Sequence, residues 1–268
     1  MKFALVNNQK TEPKPSLVGN CPSCRAVMIS KCGNTKVWHW AHKGKRSCDP
    51  WWENETTWHR EWKSHFSEDW QEVIHYDESG EKHIADIRSD EGLILEFQHS
   101  HLKPEEKQAR ERFYKKMIWV VDGSRLKRDL PRFVAGIERF ERTHMKGVFL
   151  LGDLDGCFPT SWSDRPIPVF FDFENCNENK LSDHEKGVWC LLPGRIQGRS
   201  IVVALKQRDF ISGIQKSSLI DDLRKIYKNA KEYRALAIEG NRRREQILLQ
   251  ERYYKKYYRR SRRRRSRL

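Results

Sequence analysis

No stretch of the 268 residues approaches the roughly 18 apolar positions that a membrane-spanning helix needs. Near the start, the only apolar patch is Phe3-Ala4-Leu5-Val6, too short for the apolar segment of a secretory signal. The expectation is a cytoplasmic protein with no membrane partner. Internal repeats are missing, and the one low-complexity segment is a terminal arginine run. Acidic residues are in the minority, 37 against 52 Lys and Arg, for a net charge of +15. That shortage is local. Residues 241–268 hold thirteen Lys or Arg and two acids, a net +11, which leaves +4 for the other 240 residues. The body is near balance and the tail is a polycation, suited to nucleic acid. The cysteines number seven, so they cannot all pair, and four fall between positions 21 and 48. In a reducing compartment such a cluster reads as a metal site before it reads as disulfides.

What is abundant is aromatic bulk. Ten tryptophans supply enough apolar surface for a true core, which argues against wholesale disorder. Four regions follow along the chain: a Cys/His module over 1–50, a compact α/β unit over 51–145, a β-rich extension over 146–212, and a helix with its basic tail over 213–268. In the first, a hairpin is expected with strands 26–31 and 35–40 about a turn at Cys32-Gly33-Asn34. In the second, a helix is expected over Asn54 to Glu68, with Trp58, Trp62, Phe66 and Trp70 on one stripe. Strands follow at 71–76, 82–88 and 93–98, then a helix opened by Pro104 with Glu105 and Glu106 in its first turn, then a strand at 117–121. The order is αβββαβ, and its last three elements form a βαβ unit with parallel strands.

The chemistry centres on Asp86 and Glu96. Asp90-Glu91-Gly92 reads as a three-residue hairpin loop with Gly92 left-handed, which pairs Ser89 with Leu93 and so Asp86 with Glu96. Directly opposed residues share a face, with Cβ atoms roughly 5 Å apart. Gln98 shares that face two residues on, while Leu95 and Phe97 point into the core. Like charges opposed across a ladder are destabilising, so the pair calls for a cation. Oxygen ligands of this kind suit Mg²⁺ or Mn²⁺. The plain alternative is a hairpin whose acids face water.

Cys21-Pro22-Ser23-Cys24 has the spacing of a structural zinc knuckle. Its remaining ligands come from His39, His42 and Cys48, since Cys32 sits at the far tip of the hairpin. The expected set is Cys21, Cys24, His42 and Cys48, with His39 in reserve. Cys157, Cys176 and Cys190 lack metal spacing and read as core thiols. In the tail, Tyr253-Tyr254 and Tyr257-Tyr258 interleave with Lys255, Lys256, Arg259 and Arg260, followed by Arg262, Arg263, Arg264 and Arg265. Stacking on bases with phosphate neutralisation is one use; a solvated tail is the other.

The αβββαβ order resembles the core of the PD-(D/E)XK nucleases. Five further strings narrow the resemblance: Glu55…Trp58-His59…Trp62-Lys63, Ile84-Ala85-Asp86, Glu96-Phe97-Gln98-His99-Ser100, Phe113-Tyr114 and Ile118-Trp119-Val120-Val121-Asp122. Together with Cys21-x₂-Cys24 and His39-Trp40-Ala41-His42 they resemble the CoiA-like competence proteins, over residues 20–125. That resemblance implies a metal-dependent DNA nuclease, working in competence or on mobile elements beside recombination proteins. It casts Asp86 and Glu96 as ligands of Mg²⁺ or Mn²⁺ and Gln98 as a water-orienting group. Glu55 becomes an outer metal ligand, and His59 a phosphate contact or proton shuttle. A departure accompanies it: Gln98 stands where the superfamily usually carries lysine, and Lys63 or Lys103 could supply the missing charge. His99 and His101 could touch DNA or be ordinary loop histidines, and Arg110 and Tyr114 could line the site or merely pack. The competing reading is a non-catalytic DNA-binding or recombination adaptor on a degenerate nuclease fold. An RNA-binding regulator rests on the tail alone.

Overall fold

The computed structural model describes residues 1–44, 48–173 and 187–265, with side chains as far as residue 256. Cys176 and the side chains of Arg259, Arg260, Arg262, Arg263, Arg264 and Arg265 therefore lie outside the described part. Among the described residues, no helix is long and apolar enough to cross a membrane.

The first sheet is antiparallel and is built from β1 (Ala4–Val6), β2 (Gln9–Thr11), β3 (Val18–Asn20), β4 (Val27–Lys31) and β5 (His39–His42), in the order β2-β1-β3-β4-β5. Asn7 and Asn8 both take positive φ, 50° and 61°, the backbone a two-residue β1–β2 hairpin requires. The expected tight turn at Gly33-Asn34 does not form. Strand β5 lies later than expected and pairs Lys31 with His39 and Met28 with His42, leaving residues 32–38 as a loop. Packing overrides the local turn signal: this register puts Met28 and Trp40 into a small core with Ala4 and Cys21. Cys32 stays in the loop.

Helix α1 (Thr57–Ser64) is shorter than the aromatic stripe implies. Thr56 caps it: its hydroxyl accepts from His59 N, and His59 Nδ1 accepts from Thr56 N. Glu55 thus lies ahead of the cap and not, as expected, on the helix with His59. Trp70 falls in a separate 3₁₀ turn, yet its ring still stacks on Phe66. The two buried indoles of α1, Trp58 and Trp62, both donate at 2.8 Å to Asp172 Oδ2.

Next come β6 (Gln71–Tyr76), β7 (Lys82–Arg88), β8 (Ile94–Gln98), α2 (Pro104–Tyr114) and β9 (Met117–Asp122), the expected order within a residue or two. Beyond α3 (Asp129–Gly136) lie β10 (Glu141–Arg142), β11 (Val148–Leu151), β12 (Val169–Asp172), β13 (Val188–Leu191) and β14 (Ser200–Leu205). These five do not make a module of their own. They continue the second sheet, of nine strands, in the order β10-β11-β14-β13-β12-β9-β8-β7-β6. Strands β8, β9 and β12 run parallel, and the other pairings are antiparallel.

Both faces of this sheet are covered. Leu95, Phe97, Ile118, Val120 and Phe170 pack on α1, on α4 (Gln207–Gln215) through Phe210, and on the start of α5 (Leu219–Arg265) through Leu219 and Leu223. Ile94, Trp119, Val121 and Phe171 pack on α2 through Phe113 and on α3 through Phe133. With 47 residues at about 1.5 Å each, α5 is roughly 70 Å long. Only its first part is docked: every residue from 239 to 256 is exposed.

Candidate functional site

The catalytic candidates meet where β7 and β8 part. Gly92 takes φ 73°, and Ser89 N donates to Leu93 O, closing the expected three-residue loop. The ladder then pairs Arg88 with Ile94 and Ile87 with Leu95. At the next rung side chains replace backbone partners. Asp86 N donates to Glu96 Oε1 at 3.3 Å, and Phe97 N donates to Asp86 Oδ2 at 3.0 Å. Asp86 and Glu96 line one cavity of about 60 Å³, together with Glu53, Glu55, His59, Lys63, Glu72 and Arg110 among others.

Each carboxylate meets a cation from a different helix. From α1, Lys63 Nζ lies 2.8 Å from Asp86 Oδ1, 2.8 Å from Glu55 Oε1 and 3.4 Å from Glu72 Oε1, and its side chain is buried. Burial works against that charge, but the three carboxylates raise Lys63 well above the ordinary lysine value. From α2, Arg110 Nη1 lies 2.9 Å from Glu96 Oε2, while Nη2 donates to Trp51 O and Glu106 Oε1. Glu96 is buried, and burial followed by the charge of Asp86 pushes it up to about 8, against the pull of Arg110. Lys63 is thus the lysine that reaches the carboxylates. Lys103, exposed just before α2, is drawn to the site by no hydrogen bond or ion pair of its side chain among the described residues.

The other site residues fall around this pair. Glu55 is held by Lys63 and by Arg60 at 2.7 Å, which bring it down to about 2 despite its burial. His59 lines the cavity with both ring nitrogens engaged. Its Nδ1 accepts from Thr56 N, which leaves Nε2 to donate to Phe97 O at 3.0 Å. Burial lowers its pKa. Gln98 Nε2 donates to Glu53 Oε1 and to Ser100 O, so the amide orientation is fixed. Its Oε1 is buried without a hydrogen-bond partner. Glu53 carries no signal in the sequence, because it follows Trp51-Trp52 in an irregular stretch with no periodicity to assign it a face. Glu72 is equally silent: it sits in β6 at a φ of 49° that nothing nearby in sequence demands.

The second cluster is compact. Ligand atoms of Cys21, Cys24, His42 and Cys48 all lie within 4.8 Å of one another, the one such group of three or more among the described residues. Cys21 and Cys48 sulfurs are 3.9 Å apart, and His42 Nε2 is 3.3 Å from Cys24 Sγ and 3.4 Å from Cys48 Sγ. A tetrahedral ion with bonds of about 2.3 Å to sulfur spaces its sulfurs about 3.8 Å apart, so this donor set fits zinc. Burial, then the neighbouring Cys21 and Cys24, push the Cys48 thiol up to about 12 in the absence of a cation. The reserve ligand His39 turns away, with Nδ1 2.8 Å from Val37 O.

The two clusters are joined. Asp49, next to Cys48, accepts from Ile84 N at 2.9 Å and lies 3.0 Å from His83 Nδ1. Trp51 stacks on His83 at 3.3 Å between centroids, and Lys82 Nζ donates to Ser23 O inside the cysteine knuckle. The module is therefore fastened to β7, two residues before Asp86.

A family model for the N-terminal domain of competence protein CoiA matches residues 20–50. No curated protein matches the chain, and no solved structure does. The matched segment runs from the residue before Cys21 to two residues past Cys48, so the likeness to the CoiA N-terminal domain covers the whole cysteine–histidine cluster that could bind zinc.

Proposed function

We propose that the chain is a metal-dependent deoxyribonuclease of the PD-(D/E)XK type, acting in DNA processing or recombination as in competence. The observation that carries this reading is the crossed Asp86–Glu96 pair. Two carboxylates leave the ladder at one rung, line one cavity and are followed by Gln98, whose Oε1 is an unused buried acceptor. These are hard oxygen donors of the kind Mg²⁺ and Mn²⁺ take. An ion bound there would neutralise charge on a phosphodiester and activate a water. The protein's own share is to hold Asp86 and Glu96 in register and to orient a water through Gln98 Oε1. Lys63, reaching in from α1, provides the fixed positive charge that the glutamine cannot. Lys255 and Lys256, exposed on α5, begin the run of basic residues that would neutralise DNA phosphates. Zinc in the cysteine cluster would serve as a structural clamp, and the cytoplasm is the compartment that suits its reduced thiols.

One observation favours the second reading, a DNA-binding or recombination adaptor without turnover. Lys63 and Arg110 already neutralise the two carboxylates, so the fold stands without a bound cation. Cleavage separates the readings. Purified protein with Mg²⁺ or Mn²⁺ is expected to cut single- or double-stranded DNA, and Asp86→Ala or Glu96→Ala to abolish cutting while DNA is still bound. Binding without cutting under every metal tried would establish the adaptor instead.

A further inference from the structure

A second cavity, of about 570 Å³, opens where the start of α5 meets the sheet, and it shares no lining residue with the one around Asp86 and Glu96. Its size falls within the range of about 300–1,000 Å³ typical of ligand-binding clefts. Leu93, Met117 and Leu223 are buried and form its inner surface. Pro166 and Pro168, ahead of β12, and Pro193, after β13, add rigid apolar walls that carry no N–H of their own. Apart from Tyr227 and three cations, every lining side chain is aliphatic, thioether or proline, and none is acidic. The cations are Lys115 and Lys116, in the turn from α2 to β9, and Arg224 on α5, all exposed at the mouth. A neighbouring cavity of about 360 Å³ shares Leu93, Lys116, Ile220 and Arg224 with the first, so the two form one groove along the start of α5. Acids, Glu91 and Asp221, line only this second part.

The cations are available to a partner. Lys115 pairs with Glu78 and Arg224 with Asp221, both at 2.8 Å, and all four side chains are more than half exposed. Exposed pairs of this kind hold weakly and exchange partners readily. Lys116 Nζ donates to Glu91 O and meets no carboxylate among the described residues. The groove therefore calls for an apolar group with negative charge beside it. A second copy of this chain does not supply that, since its exposed Ile247, Leu248 and Leu249 lie among Arg243, Arg244 and Arg252. Nucleic acid would satisfy the cations, but a base in the inner part would bury its polar edge against hydrocarbon. We propose that the groove docks an acidic peptide segment of a partner protein. An aliphatic or aromatic side chain of that segment fills the apolar part, and Asp or Glu beside it meets Lys115, Lys116 and Arg224. The site stands apart from the nuclease reading and does not depend on it.

The test selects displayed random peptides on the full-length native protein, after removal of those that bind Lys116→Glu/Arg224→Glu. Both substituted side chains are exposed, so the fold does not rest on them, and the variant keeps the basic tail. Peptides held by the tail alone are thereby discarded. The expected survivors carry Asp or Glu next to Leu, Ile, Phe or Trp. By fluorescence anisotropy, the affinity of a survivor should fall about 10-fold or more in Tyr227→Ala, and as much when its own apolar residue is replaced by alanine. The second comparison alters the peptide alone, so it holds whatever Tyr227→Ala does to folding. No survivors, or survivors without acids, would overturn the proposal. Binding indifferent to the peptide's apolar residue would overturn it too, by showing charge attraction only. If no peptide survives and a single-stranded oligonucleotide loses affinity for Lys116→Glu/Arg224→Glu, the groove is a nucleic-acid surface instead.

Discussion

At the scale of single residues, the site is a problem of buried charge. Glu55, Glu72 and Asp86 converge on Lys63, and Glu96 on Arg110, all but Asp86 nearly sealed from water. Removing one member of a buried charge network leaves its partners unpaired, which costs about 3–5 kcal/mol. Lys63→Met keeps the length of the side chain and removes its charge. Its melting temperature is therefore expected to fall by many degrees in metal-free buffer. Excess Mg²⁺ should restore much of the loss, because a divalent ion can stand in for the ammonium. A Lys63→Met protein that melts like the native one would show the lysine to be dispensable to the network. The importance of Lys63 was only half legible from the sequence. Its place in Trp62-Lys63 marked it as a candidate, but Lys103 was equally one, and only the packing of α1 against β7 tells them apart.

At the scale of elements, the β7–β8 hairpin was the most readable part of the chain. A left-handed Gly92 and the two-residue period of a strand fix which residues oppose one another, and both are local properties. The β4–β5 hairpin went the other way. Gly33 and Asn34 advertise a tight turn, but burial of Trp40 and Met28 selects a later register and a longer loop. Likewise, the length of α1 follows from its Thr56–His59 capping box, which competes with the longer aromatic stripe. The grouping of the four cysteine and histidine side chains is legible because Cys-x₂-Cys spacing is itself local and because β5 returns His42 beside it. Its link to β7 through Asp49, His83 and Lys82 is a contact between elements that no periodicity announces. One zinc per chain is expected on metal analysis, and Cys24→Ser should lose it. Chelation at neutral pH should lower the melting temperature of the native protein and leave that of Cys24→Ser unmoved. A native preparation with well under half an equivalent of zinc would remove the ion from the account.

At the scale of the whole molecule, a two-sided sheet holds the candidate site near one edge, and a long helix stands clear of it. Five strands beyond residue 140 extend the sheet by pairing β12 beside β9, and Asp172 of β12 anchors both indoles of α1. The β-rich extension is therefore part of what positions Lys63, which its sequence, lacking any motif of its own, did not reveal. The exposed part of α5 carries its charge into solvent, where it can act only on a partner. Deleting residues 241–268 is expected to weaken DNA binding and to flatten the dependence of log affinity on log salt. An unchanged slope would take the tail out of the DNA-binding account.

The claim on which the rest depends is that Asp86 and Glu96 together hold a divalent ion. Titration of Mn²⁺ followed by electron paramagnetic resonance, on protein with its cysteine site already filled, tests it most directly. The account predicts saturable binding of Mn²⁺ by the native chain, lost in both Asp86→Asn and Glu96→Gln. No binding by the native chain, or binding that survives both substitutions, would contradict it.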